Sequence, residues 1–140
     1  MSFKLFLPNK ILKQQAEKIR ALKETIVDFE NYINDLHNFV PVPWCSVNPA
    51  DVITEVNVSF SELTGYIDLD IYGEKVSLIF NSTQQAKNLK EEIAKSEKVK
   101  NYEIEIVTKN KHIIPVLIFA MKRKDKDGNY VGYFFIIFRH

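Results

Sequence analysis

Cys45 is the one thiol of this 140-residue chain. A reactive thiol needs an electropositive, partly exposed setting. Cys45 instead sits in the apolar run Trp44-Cys45-Ser46-Val47, which reads as a place for a small buried hydrophobe. A lone cysteine excludes an internal disulfide and a zinc framework, and suits a reducing, cytoplasmic compartment. The three histidines, His37, His112 and His140, are scattered over a long helix, a turn and the terminus. Each reads as a surface residue rather than a ligand, and no Cys-x-x-Cys-His attachment exists for haem. Glu103 and Glu105 alternate in one strand-like run, where they read as a solvated face. The four glycines, at 65, 73, 128 and 132, make no phosphate cradle. No serine, cysteine or histidine arrangement suggests nucleophilic catalysis. The chain reads as having no catalytic residue and as not being an enzyme.

The elements that position these residues start from the run 113–139. Ile113-Ile114-Pro115-Val116-Leu117-Ile118-Phe119-Ala120-Met121 and Tyr130-Val131-Gly132-Tyr133-Phe134-Phe135-Ile136-Ile137-Phe138 are rich in β-branched and aromatic residues. Both are too short for an ordinary buried helix. Asp127-Gly128 lies between them, and an Asp-Gly pair supplies the positive φ of a hairpin turn. Neither run alternates apolar with polar, so both faces of this ribbon are expected to be covered.

From Pro8-Asn9 to Val40 nothing breaks a helix, with Asn9 a candidate N-cap. Leu12, Ile19, Ile26, Ile33 and Val40 recur every seven residues, and Gln15, Leu22, Phe29 and Leu36 fall three later. This heptad predicts a coiled-coil-like dimer interface carried by Ile19, Leu22, Ile26, Phe29, Ile33 and Leu36. The other reading is that its turns cover one face of the sheet. Lys10, Lys13, Lys18 and Arg20 against Glu17 give 9–22 a charge of +3. Lys23 against Glu24, Asp28, Glu30 and Asp35 gives 23–36 a charge of −3. That distribution opposes the macrodipole and favours an antiparallel partner by modest, salt-screened amounts. Parallel and antiparallel pairing both stay open.

Pro41-Val42-Pro43 ends the helix. Two short strands follow, 44–47 and 52–56, joined by the turn Asn48-Pro49-Ala50-Asp51. Asn57 leads into a short helix closed by Gly65, a left-handed cap, with Ser59 and Glu62 at capping-box spacing. The stretch 67–80 reads as irregular with another helical turn. Ser82 and Gln85 again have capping-box spacing and open a helix striped by Ala86, Leu89 and Ile93. Tyr102-Glu103-Ile104-Glu105-Ile106 alternates as a half-buried strand. Asn57 is expected to fix its turn through side-chain to backbone hydrogen bonds.

At 46% hydrophobic, 26% charged and +1 net, the chain has a globular composition and no basic footprint for nucleic acid or a membrane surface. Phe3, Leu5, Phe6 and Leu7 form too short a run for a signal-peptide core or a membrane span.

The ordered set Asn57, Phe60-Ser61-Glu62-Leu63-Thr64-Gly65-Tyr66, Gly73, Lys109 to Pro115, Asp127-Gly128 and Gly132 resembles a PAS (Per-Arnt-Sim) sensor domain over about 100 residues, 39–139. The first turn, Asn48-Pro49-Ala50-Asp51, departs from the family's Asp-Gly type. The resemblance implies an α+β fold: a five-stranded antiparallel sheet with short helices on one face and a long N-terminal helix. It divides the chain into a helix, 1–40, and a PAS domain, 41–140. It implies a homodimeric, non-catalytic signalling module, of the kind found in two-component sensor histidine kinases, that relays ligand or partner state to an output domain. A small apolar ligand would lie among Phe60, Leu63, Ile79, Phe80, Ile104 and Ile106, unless those side chains fill the space at native density. The alternative function is a dimerisation domain with a filled core. Flavin-binding relatives carry an Asn-Cys-Arg-type motif where this chain reads Val76-Ser77-Leu78-Ile79-Phe80-Asn81. Haem-binding relatives carry a histidine on the long helix, where 82–97 has none. Both cofactors are disfavoured.

Overall fold

With no proline or glycine between Pro8 and Val40, the first segment forms one helix, α1 (Asn9–Phe39). Its first bonds run from the N–H groups of Ile11 and Leu12 to the Pro8 carbonyl, so Asn9 lies inside the helix rather than capping it. The computed structural model describes residues 8–140; the Phe3–Leu7 run falls outside them. The chain divides into two compact units, Met1–Phe39 and Val40–His140. No residue of α1 is buried.

The second unit runs β1 (Trp44–Val47), β2 (Ile53–Val56), α2 (Val58–Thr64), α3 (Asp68–Ile71), a 3-10 helix (Val76–Ile79), α4 (Thr83–Ser96), β3 (Lys98–Val107), β4 (Ile113–Lys124) and β5 (Tyr130–Arg139). Its strands form one antiparallel sheet in the order β2-β1-β5-β4-β3. The first and last strands in sequence therefore lie side by side in the middle. In the segment 67–80 the expected helical turn is the 3-10 helix, and α3 is a further one that the sequence reading does not give.

Alternation along each strand sends one set of side chains toward the helices. Cys45 and Val47 of β1, Val116, Ile118 and Ala120 of β4, and Tyr133, Phe135 and Ile137 of β5 are buried there. They form one core with Phe60 of α2, Ile71 of α3, Ile79 of the 3-10 helix, and Leu89 and Ile93 of α4.

The opposite face is covered only in part by the second unit's own residues. Leu117, Phe119, Phe134 and Ile136 are only half-buried there, and Met121 and Phe138 are exposed. The alternation of burial along β4 and β5 is that of a sheet filled from one side. Its other side is apolar by composition, and it stays partly in contact with solvent.

The β4–β5 turn is built by Asp125. Its Oδ1 accepts from the N–H groups of Asp127 and Asn129, each at 2.9 Å. These bonds hold the Asp125 carboxyl below the ordinary aspartate range, and Gly128 supplies a φ of 84°.

Candidate functional site

Asn57 ties together the segment that enters the sheet and the first helix packed on it. It is buried, and its Oδ1 accepts from the N–H groups of Phe60 and Trp44, both at 3.0 Å. Its Nδ2 donates to the Val42 carbonyl at 2.8 Å. One side chain thus caps α2, anchors the start of β1 and pins the proline linker. Ser59 is not the cap that its spacing to Glu62 suggested. Its hydroxyl donates to the Val40 carbonyl instead. Gly65 closes α2 with φ 79° and an N–H bond to the Ser61 carbonyl at 2.8 Å. The Lys109 N–H then bonds the Thr64 carbonyl, joining the end of α2 to the β3–β4 turn.

The six residues read as a ligand pocket do not share one environment. Phe60, Ile79, Phe80, Ile104 and Ile106 are buried in the core, and Phe80 packs against Phe135 with ring centroids 5.9 Å apart. Leu63 is half-buried at the rim. It lines an open groove of about 430 Å³ together with Pro41, Pro43, Glu62, Phe138 and Arg139. Another groove, about 510 Å³, runs beside α4, with Lys75, Lys87, Lys90 and Thr83 on its walls and Tyr133 in its lining. Asp51, held at φ 65°, pairs with Lys90 at 2.7 Å there. Sequence reasoning missed this pair, because the two residues lie 39 positions apart and no local pattern links them.

The titratable groups among the described residues form no reactive centre. Burial pushes the Cys45 thiol well up, which leaves it protonated and inert. Burial likewise pushes up the Tyr133 hydroxyl. His140 lies 3.1 Å from Glu103, both well exposed. Glu105 is not solvated like Glu103. It is half-buried, and its carboxylate accepts from Asn81 at 3.2 Å and Gln85 at 3.5 Å. No cluster of three potential metal ligands exists among the described residues. No helix among them is long and apolar enough to cross a membrane.

The features that could meet a partner are apolar. On the outer sheet face Trp44 stacks on Phe134 at 6.2 Å, and Phe119 meets Phe138 edge-on at 5.3 Å. On α1, Ile19, Leu22, Ile26, Phe29, Ile33 and Leu36 are all exposed.

A five-stranded sheet in this order, helices on one face, and an asparagine clamp before the first of them define the architecture. The sequence pattern of the PAS domain matches residues 41–139. The chain belongs to the PAS domain family. No curated protein matches its sequence. Among solved structures this PAS domain is similar to that of a protein from Colwellia psychrerythraea, at 16% identity and TM-score 0.72, over 80% of this chain and 97% of that one. It is similar to a PAS domain from a two-component sensor histidine kinase, at 13% identity and TM-score 0.71, over 83% of this chain and 99% of that one. It is also similar to a LOV protein of Rhodobacter sphaeroides, at 13% identity and TM-score 0.65, over 76% of this chain and 64% of that one. At these identities the likeness is one of fold. PAS domains are typically regulatory sensory modules of signalling proteins, and this one shows no catalytic arrangement among its described residues.

Proposed function

We propose that this PAS domain is a non-catalytic sensory and signal-transmitting module that dimerises through α1 and relays ligand or partner state to an output domain, in the cytoplasm. The observation that supports it is the apolar stripe of α1. Six heptad residues from Ile19 to Leu36 are exposed along a helix with no buried residue. A stripe of that length and period is what a second helix covers. The mechanism is population shift: a ligand or partner that prefers one arrangement of the dimer biases it by its differential affinity. Flavin-thiol chemistry stays disfavoured, because 76–81 carries no cysteine and Cys45 is wholly buried in β1. Haem stays disfavoured, because α4 carries no histidine.

A second reading, a dimerisation domain with a filled core, is favoured by the burial of Phe60, Ile79, Phe80, Ile104 and Ile106. Comparing native with denatured mass of the purified protein separates the two, since bound mass supports the ligand-sensing form and its absence supports the filled core. The dimer is tested by sedimentation. Ile26→Asp or Ile33→Asp is expected to give a monomer, and unchanged mass removes α1 from that role.

A further inference from the structure

We propose that two copies of α1 pair antiparallel, centred near Glu24, so that the two PAS domains are attached at opposite ends of one helical rod. This rests on the reading of α1 as the dimer helix and assigns the orientation that reading leaves open. The occupant of the exposed stripe is a second copy because the stripe is self-complementary. Among the described residues, α1 is one uninterrupted helix whose heptad positions are exposed throughout, from 40% at Leu12 to 62% at Phe29. In antiparallel coils each a position packs opposite a d position of the other helix. Centring the pair on residue 24 satisfies this at every layer: Leu12 meets Leu36, Ile19 meets Phe29, and Leu22 meets Ile26 of the other copy.

The charges follow the same centre. Lys13, Lys18 and Arg20 stand level with Asp35, Glu30 and Asp28 of the other copy, so the +3 half lies along the −3 half. The helix dipoles also oppose one another in this arrangement. Around the two-fold axis the Lys23 side chains of the two copies, at e positions, face one another across the seam, while Glu24 at f points outward. That is one like-charge contact against the two Lys18–Lys23 contacts of a parallel pair. An in-register parallel pair instead sets each half beside its like and brings Lys18 against Lys23. Such a pair gains contact between two Gln15 side chains. In the antiparallel pair Gln15 faces Ile33 near the end of the overlap, where its long flexible side chain reaches water. The Val40 ends of the two helices then lie about 48 Å apart, at about 1.5 Å per residue over the intervening turns.

The test uses the full chain with one cysteine added at a time. Leu12→Cys and Leu36→Cys proteins are oxidised separately and then as a mixture of the two. Cys45 is fully buried, so the unmodified chain is the uncrosslinked control. The expected result is a covalent dimer in the mixture and none in either protein alone. A disulfide in each protein alone shows parallel helices and overturns the orientation. A dimer by mass that crosslinks in no sample overturns the register. A monomer by sedimentation of the unmodified chain overturns the dimer reading itself.

Discussion

Gly132 of β5 crosses Val47 of β1 so closely that a Cβ built on it would overlap the Val47 carbonyl oxygen. The same Cβ would stand 3.0 Å from the Asn48 Cα. Both obstacles are backbone, which cannot swing aside as a side chain can. With φ at 113° the position is also one that L-residues rarely adopt. Gly132→Ala is therefore expected to pry β1 from β5 and to cost about 2–4 kcal/mol of unfolding free energy, measured by urea titration. Gly128→Ala, with open space around its Cβ, is expected to cost less.

Asn57→Ala removes an acceptor from the N–H groups of Trp44 and Phe60, and a donor from the Val42 carbonyl. A buried group left without its partner costs about 1–3 kcal/mol, and a lost helix cap about 1. The expected loss is about 2–4 kcal/mol in the same titration. A loss below about 0.5 kcal/mol would show that the clamp is not needed for folding.

Alkaline pH should destabilise the domain through its buried acids. The Cys45 thiol and the Tyr133 hydroxyl are held above their ordinary values of 9.0 and 10.0 by burial. In the unfolded chain each ionises at its ordinary value, while in the fold it keeps its proton. The unfolded state thus binds fewer protons, and stability falls as pH rises past those values, by up to about 1.4 kcal/mol per pH unit for each group. Cys45→Ala should flatten the decline that begins near pH 9, and Tyr133→Phe the part above pH 10. Unchanged slopes in both variants would contradict this account.

Asp125→Ala removes the acceptor that serves Asp127 and Asn129. Their amide exchange is expected to accelerate while the core amides of β5 stay protected. Because the native carboxyl is held below its ordinary value of 3.8, this support is present above that pH and is lost as pH falls through the native value. Acidification of the unaltered chain should therefore lower the protection of these two amides, measured against the intrinsic exchange rate at the same pH.

The residues themselves determined the elements. The heptad of α1, the Asp127-Gly128 turn, the left-handed cap at Gly65 and the alternation of β3 are local patterns, so backbone preference and side-chain period dictate them without help from distant contacts. Asn57 was legible as a turn former for the same reason. Its reach to Val42 was not, because that bond spans 15 residues. Tertiary structure alone decided what pairs across long separations: Gly132 against Val47, Asp51 against Lys90, and Glu105 with Asn81 and Gln85. It also decided which face of the apolar ribbon fills. Composition could show that Leu117, Phe119, Phe134 and Ile136 avoid water, but only the packing of α2, α3 and α4 on the opposite face left them half-covered. An apolar strand records the need for cover, and the helices of the second unit supply it on one face.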